Sequence, residues 1–175
     1  MKTKNSIQIA LTTVFAALYA VGVVFLAPIS FQVFQVRIAD ALLPLAMLFG
    51  WPAILGLALG AFVANVFGGL GPVDMIGGAL ANFFATLAAW HIVNQKGKRW
   101  TLVGVGVEIL VVTLVVGTYL SYLLVIPLYL SWLGILLGSL IAIGLLGSIL
   151  VFALSRRNVI ALLRSHGLTD RDASP

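Results

Sequence analysis

The sequence predicts an all-α, polytopic membrane protein: one compact bundle of six transmembrane helices over residues 1–175, with N- and C-termini cytoplasmic. Three observations predict it. AVILMFWYC residues make up 62% of the 175 positions and charged residues only 9%, where a soluble domain carries about 25% charged. So few charges cannot cover a soluble globule, and lipid must solvate most of the side chains. The apolar residues run in stretches long enough to span a bilayer, with short polar breaks between them. Every basic residue except Arg37 lies in those breaks or at the chain ends, which is the positive-inside pattern. The net charge of +5 therefore reports topology and argues against nucleic-acid binding. With no Cys and two widely separated His, disulfides, thiolate sites and a local metal motif are excluded, and no cofactor is expected.

The first run, about 7–26, is long enough for roughly 30 Å of hydrocarbon. Lys2 and Lys4 ahead of it imitate a signal peptide. The stretch is too long for one, and no A-x-A site follows in Leu26-Ala27-Pro28-Ile29-Ser30, so the helix is read as retained. Pro28 and Ser30 open a loop through Val33. From Phe34 to Phe67 the chain is almost continuously apolar, and Trp51-Pro52 supplies a break, because proline lacks a donor and restricts the residue before it. Two short helices result, about 34–50 and 53–67, both in need of local thinning or burial. Gly68-Gly69-Leu70-Gly71-Pro72 makes a turn. Helices at about 73–93, 101–125 and 128–154 follow, separated by the Lys96–Arg99 loop and by Pro127.

Charge parity supports the cut. The N-terminus, the Lys96–Arg99 loop and the tail from Arg156 share one side only if four helices precede the loop and two follow it. The tail, 155–175, is then cytoplasmic. Asn158 to Arg164 reads as a short amphipathic helix on the inner surface, and Thr169 to Pro175 as disordered. Small residues recur at four-residue spacing in Ala16/Ala20, Gly56/Gly60/Ala64, Gly77/Ala81/Ala85/Ala89 and Gly134/Gly138/Ala142. Such stripes let helix backbones approach closely in lipid; they pack the bundle internally or dock a partner.

A charge within a span costs roughly 2.5–3.5 kcal/mol on insertion scales, so each needs a reason. Arg37 and Asp40, three apart, share a face at the outer end of the second helix. Asn65 falls near the outer end of the third. Asp74, Gly78 and Asn82 form a polar line with a glycine gap down the fourth. Two carboxylates, a guanidinium and two amides thus gather in the outer half of the bundle, a set suited to a small polar, planar ligand. Taken singly, the pair is a snorkelling ion pair, Asp74 an N-cap and the amides interhelical glue. Glu108 stands apart in the cytoplasmic half of the fifth helix, as a structural pair with His91, a proton relay or a ligand contact. Tyr119, Tyr122, Tyr129 and Trp132 read as an aromatic belt or as a stacking surface. No hydrolase, metalloprotease or P-loop motif is present, so an enzyme is not expected.

Val36-Arg37-Ile38-Ala39-Asp40-Ala41-Leu42-Leu43-Pro44 and Gly71-Pro72-Val73-Asp74-Met75-Ile76-Gly77-Gly78-Ala79-Leu80-Ala81 together resemble the QueT family. These are S components of energy-coupling factor (ECF) transporters associated with queuosine precursors. The resemblance runs over most of the chain and is strongest between about residues 31 and 90. It implies a plasma-membrane subunit that captures a small-molecule substrate, a heterocyclic micronutrient, from outside. Its partners would be a transmembrane coupling subunit and two cytoplasmic ATPase subunits, which fits the missing nucleotide motif. Ala16 and Ala20 would face the coupling subunit; Arg37, Asp40, Asp74 and Asn82 would line or brace the ligand cavity. Asn65 and Glu108 complete the expected binding set. A stand-alone proton-coupled transporter using Glu108 and His91, and a purely structural membrane subunit, are the competing readings.

Overall fold

The structure, a computed structural model, describes residues 2–30 and 36–168. Residues 31–33 of the expected loop, the helix start at Phe34 and the tail from Thr169 fall outside those residues, whereas Pro28 and Ser30, expected to open that loop, lie in a helical turn. The chain runs through α1 (Lys2–Phe25) and the single turn α2 (Ala27–Ser30) to a 3-10 segment (Ile38–Leu45) that continues into α3 (Ala46–Phe49). Next come α4 (Trp51–Gly68), α5 (Pro72–Lys96), a 3-10 turn (Lys98–Trp100) and α6 (Thr101–Leu123). The last rod joins α7 (Leu128–Ser139), a π-helical segment (Leu140–Gly147) and α8 (Ser148–Leu154), before the short α9 (Arg157–Ser165). No strand occurs among the described residues.

Among the described residues, five helices are long and apolar enough to cross a membrane. The sixth predicted span differs from the α-helix expected over 34–50. Ile38–Phe49 is a shorter apolar helix, about 22 Å long at 3-10 and α rises, against roughly 30 Å of hydrocarbon. Pro44 lies inside it and has no N–H to return to the carbonyl four residues back. The preceding turn closes over three residues, Asp40 N–H donating to the Arg37 carbonyl at 2.9 Å. The segment is almost wholly buried, from Ala39 through Leu48 with Leu42 alone half-buried. It lies inside a ring formed by the longer helices, packed chiefly on the π segment.

The break before α4 falls at Gly50, with φ +63°, a left-handed conformation that favours glycine. Trp51 and Pro52 then occupy the first helical positions, where a missing N–H costs nothing. Two other glycines set the closest helix contact. A Cβ on Gly56 would stand 2.6 Å from the Thr12 carbonyl, and one on Gly60 2.8 Å from that of Ala16. The Gly56/Gly60 stripe is therefore the seat of α1 on α4.

Alternating helix directions collect the start of α1, the Lys96–Trp100 turn and α9 at one end, where Gly167 approaches Ile7. Trp51 and Trp90 pack with ring centroids 6.1 Å apart and a 54° tilt near that end, and Lys96 Nζ sits 4.3 Å above the Trp100 ring. α9 forms close to where an amphipathic helix was expected, but Ile160 is only 1% exposed. Its apolar side docks on the bundle.

Candidate functional site

Two glycines in the first turns of α5 build the polar centre. Gly77 lies under the Tyr119 ring, whose carbons would stand 2.9 Å from an added Cβ. Gly78 faces the Asn65 amide, which fills the space a Cβ would need. Through that gap Asn65 Nδ2 donates to the Asp74 carbonyl oxygen at 2.8 Å, and the Tyr119 hydroxyl donates to Asp74 Oδ1 at 2.9 Å. Asp74 is in the first turn of α5, where the dipole favours a carboxylate. Gly71 is the N-cap and Asp74 makes no capping bond, so the N-cap reading gives way to an inward-turned carboxyl.

On the far side of Arg37 a second tyrosine repeats the arrangement. The Tyr19 hydroxyl, from α1, donates to Asp40 Oδ1 at 2.5 Å. Arg37 lies within electrostatic reach of Asp40, Asp74 and both tyrosines. Asn82, two turns below Asp74, donates to the Leu57 carbonyl of α4 at 3.3 Å and lies near enough to Tyr19 to act on it electrostatically. Arg37, Asp40, Asn65, Asp74 and Asn82 are all at most 7% exposed. These groups therefore form one network inside the bundle, where partnered charges hold one another and breaking a buried pair costs about 3–5 kcal/mol.

A hollow of about 20 Å³ lies against this network, lined by Arg37, Asp40, Asn82 and Ser139, with Val112, Val116, Ile135 and Gly138 completing it. Its floor and walls thus come from the 3-10 segment, α5, α6 and α7. That volume admits about one water molecule, whereas pockets for small organic ligands measure roughly 300–1,000 Å³. The hollow is closed down in this conformation. Ser139 is also the last residue before the π segment, a geometry that recurs at functional sites.

Of the sequence-predicted binding residues, Arg37, Asp40 and Asn82 line the hollow. Asp74 and Asn65 stand behind them, holding Tyr119 and the start of α5. Glu108 is 0% exposed with neither oxygen hydrogen-bonded, and it is electrostatically coupled to Asp40. His91 is exposed and paired with Gln95 at 2.9 Å, so the expected Glu108–His91 approach does not form. Ala16 and Ala20 are half-buried, and the Ala16 backbone lies in the α1–α4 contact, against Gly56 and Gly60.

Sequence reasoning passed over Tyr19, which sits in an unbroken apolar run and looks like core. It placed Tyr119 and Trp132 in an aromatic belt. Tyr122 and Tyr129, 80% and 69% exposed, fit that belt, but Tyr119 points into the network and Trp132 packs on Gly117. The Gly77-Gly78 pair was the available signal, since two adjacent glycines in a packed helix make room for something large.

Long apolar helices around a small polar hollow define a small multi-pass membrane protein of the solute-transporting kind. The QueT transporter family profile matches residues 9–156. The chain belongs to that family and is a membrane transporter acting on a small-molecule substrate. No curated protein and no solved structure matches it.

Proposed function

We propose that this chain is the substrate-binding S component of an ECF-type uptake transporter. It captures a small heterocyclic micronutrient, a queuosine precursor or similar, from the outer face. The observation that carries this reading is the meeting of Arg37, Asp40, Asn82 and Ser139 at one hollow walled by Val112, Val116 and Ile135. Carboxylate, amide and guanidinium together read the donor and acceptor edges of a flat ring, and aliphatic walls take its faces. Asn65 and Asp74 brace that set.

Binding on this reading requires the hollow to open by about fifteenfold or more in volume. The 3-10 segment is the element suited to move, because its short-range hydrogen bonds have poorer geometry than α-helical ones. The basic end faces the cytoplasm, with both termini inside, and the Gly68–Gly71 turn lies outside. A transmembrane coupling subunit, met by the Ala16/Ala20 side of α1, and two cytoplasmic ATPases complete the transporter. The alternative of proton-coupled transport through Glu108 and His91 loses support, since His91 is on the surface.

Purification in mild detergent followed by mass spectrometry of co-purified small molecules tests the reading. A stoichiometric nitrogen heterocycle, lost in Asp40→Ala, is expected. A protein that is well folded, carries no such compound and shows no thermal shift with deazaguanines would overturn it.

A further inference from the structure

Among the described residues the bundle buries four charged side chains, the carboxyls of Asp40, Asp74 and Glu108 against the guanidinium of Arg37. Asp40 receives the Tyr19 hydroxyl and Asp74 that of Tyr119. Arg37 acts on both. Glu108 has no such arrangement: it is fully buried, both its oxygens lack a donor, and the charge that acts on it is the like charge of Asp40.

Position ties Glu108 to the hollow. Glu108, Val112 and Val116 follow one another at four-residue spacing on one face of α6, and the two valines line the hollow. The Glu108 backbone is therefore one turn below that wall, about 6 Å further along the helix. Its neighbour Asp40 lines the hollow directly.

Neither protonation state of Glu108 is satisfied by the protein. The ionised form is a buried charge without a counter-charge, which costs several kcal/mol. The neutral form leaves its own O–H without an acceptor. The other two buried carboxyls each carry a tyrosine, so a third kept solely for structure would be expected to have a donor as well. A group that brings N–H donors supplies what is missing, and a positive charge also offsets the excess of three carboxyls over one guanidinium.

Resting on the binding reading above, we propose that Glu108 sets the specificity of the site by taking a protonated nitrogen group of the substrate, an amine or amidinium. The ring is held one turn higher by Arg37, Asp40 and Asn82. The recognised solutes are then cationic heterocycles, and Glu108 separates them from neutral ones with the same ring.

The test uses the full chain in lipid nanodiscs and two probes. One is 7-deazaguanine with a protonated aminomethyl arm; the other is the same ring with an uncharged nitrile in that place. A charge-assisted hydrogen bond contributes about 1.5–3 kcal/mol, so the wild type should bind the charged ring about tenfold or more tightly. Glu108→Gln should shrink that gap to below about threefold by weakening only the charged ring. Glu108→Asp, which keeps the charge but withdraws it by one methylene, should lie between, and it decides the matter if the Gln variant does not fold. Equal affinity of the wild type for both probes, or a preference for the nitrile, would overturn the proposal while leaving ring recognition intact. A tenfold gap that persists unchanged in the variants would also overturn it, assigning the charge selection elsewhere. Failure of both probes to bind wild type would remove the deazaguanine reading and this proposal with it.

Discussion

Tyr19 and Tyr119 each give a hydroxyl hydrogen bond to a carboxylate on either side of Arg37, and the network is sensitive to losing any one member. Asp74→Ala leaves the Tyr119 hydroxyl without its acceptor and removes a negative charge from the Arg37 field. A buried group left unsatisfied costs about 1–3 kcal/mol, so a drop in melting temperature of several degrees is expected, together with weaker ligand binding as Arg37 shifts. Asp74→Asn keeps an acceptor for Tyr119 and should lose less of both. Melting curves and affinities on the two variants check this; wild-type affinity in the Ala variant would remove Asp74 from any role in binding. Gly78→Ala tests the same centre by steric means, because its methyl meets the Asn65 side chain. Overpacking of that kind costs about 1–3 kcal/mol, and a thermal scan should show it, whereas Gly106→Ala, on the exposed side of α6 with open space around it, should be milder.

At the scale of elements, sequence was most informative where a helix had to meet lipid. Long apolar runs demand internally satisfied backbone, so α1, α4, α5, α6 and the last rod were legible from composition and the position of charge. The 3-10 segment was not, because Arg37, Asp40 and Pro44 interrupt a pattern that hydropathy alone reads as one more span. Its geometry follows from what surrounds it: the π segment packs on it through Gly147, close against Pro44. The polar residues of the site were visible as costly exceptions in greasy surroundings, but their hydroxyl partners were not, since a tyrosine in an apolar run carries no mark of where its oxygen points. Ala16 and Ala20 make a prediction at this scale. Replacing both by Leu should abolish co-purification with the proposed coupling subunit and leave ligand binding intact. Loss of folding instead would assign them to the α1–α4 seat, where Ala16 already meets Gly60.

The molecule as a whole offers a direct test of its orientation, because it contains no cysteine. Single cysteines at Lys98 and Leu70, at opposite ends of α5, should react with an impermeant maleimide from opposite sides of the membrane. Labelling of Leu70→Cys in intact cells, and of Lys98→Cys only after the membrane is opened, is expected from the basic end facing inward; the reverse pattern would invert the topology and the proposed route of the substrate. The enclosed 3-10 segment has one more consequence, and it concerns biosynthesis. Too short to reach across a bilayer and with scarcely any surface to offer acyl chains, Ile38–Phe49 gains little by partitioning on its own as it leaves the ribosome. The element it packs on most is the last rod, which is synthesised long after it. Maturation of this small protein therefore has to wait for the far end of its chain, when the later helices arrive to wrap a stretch that the earlier ones cannot shelter.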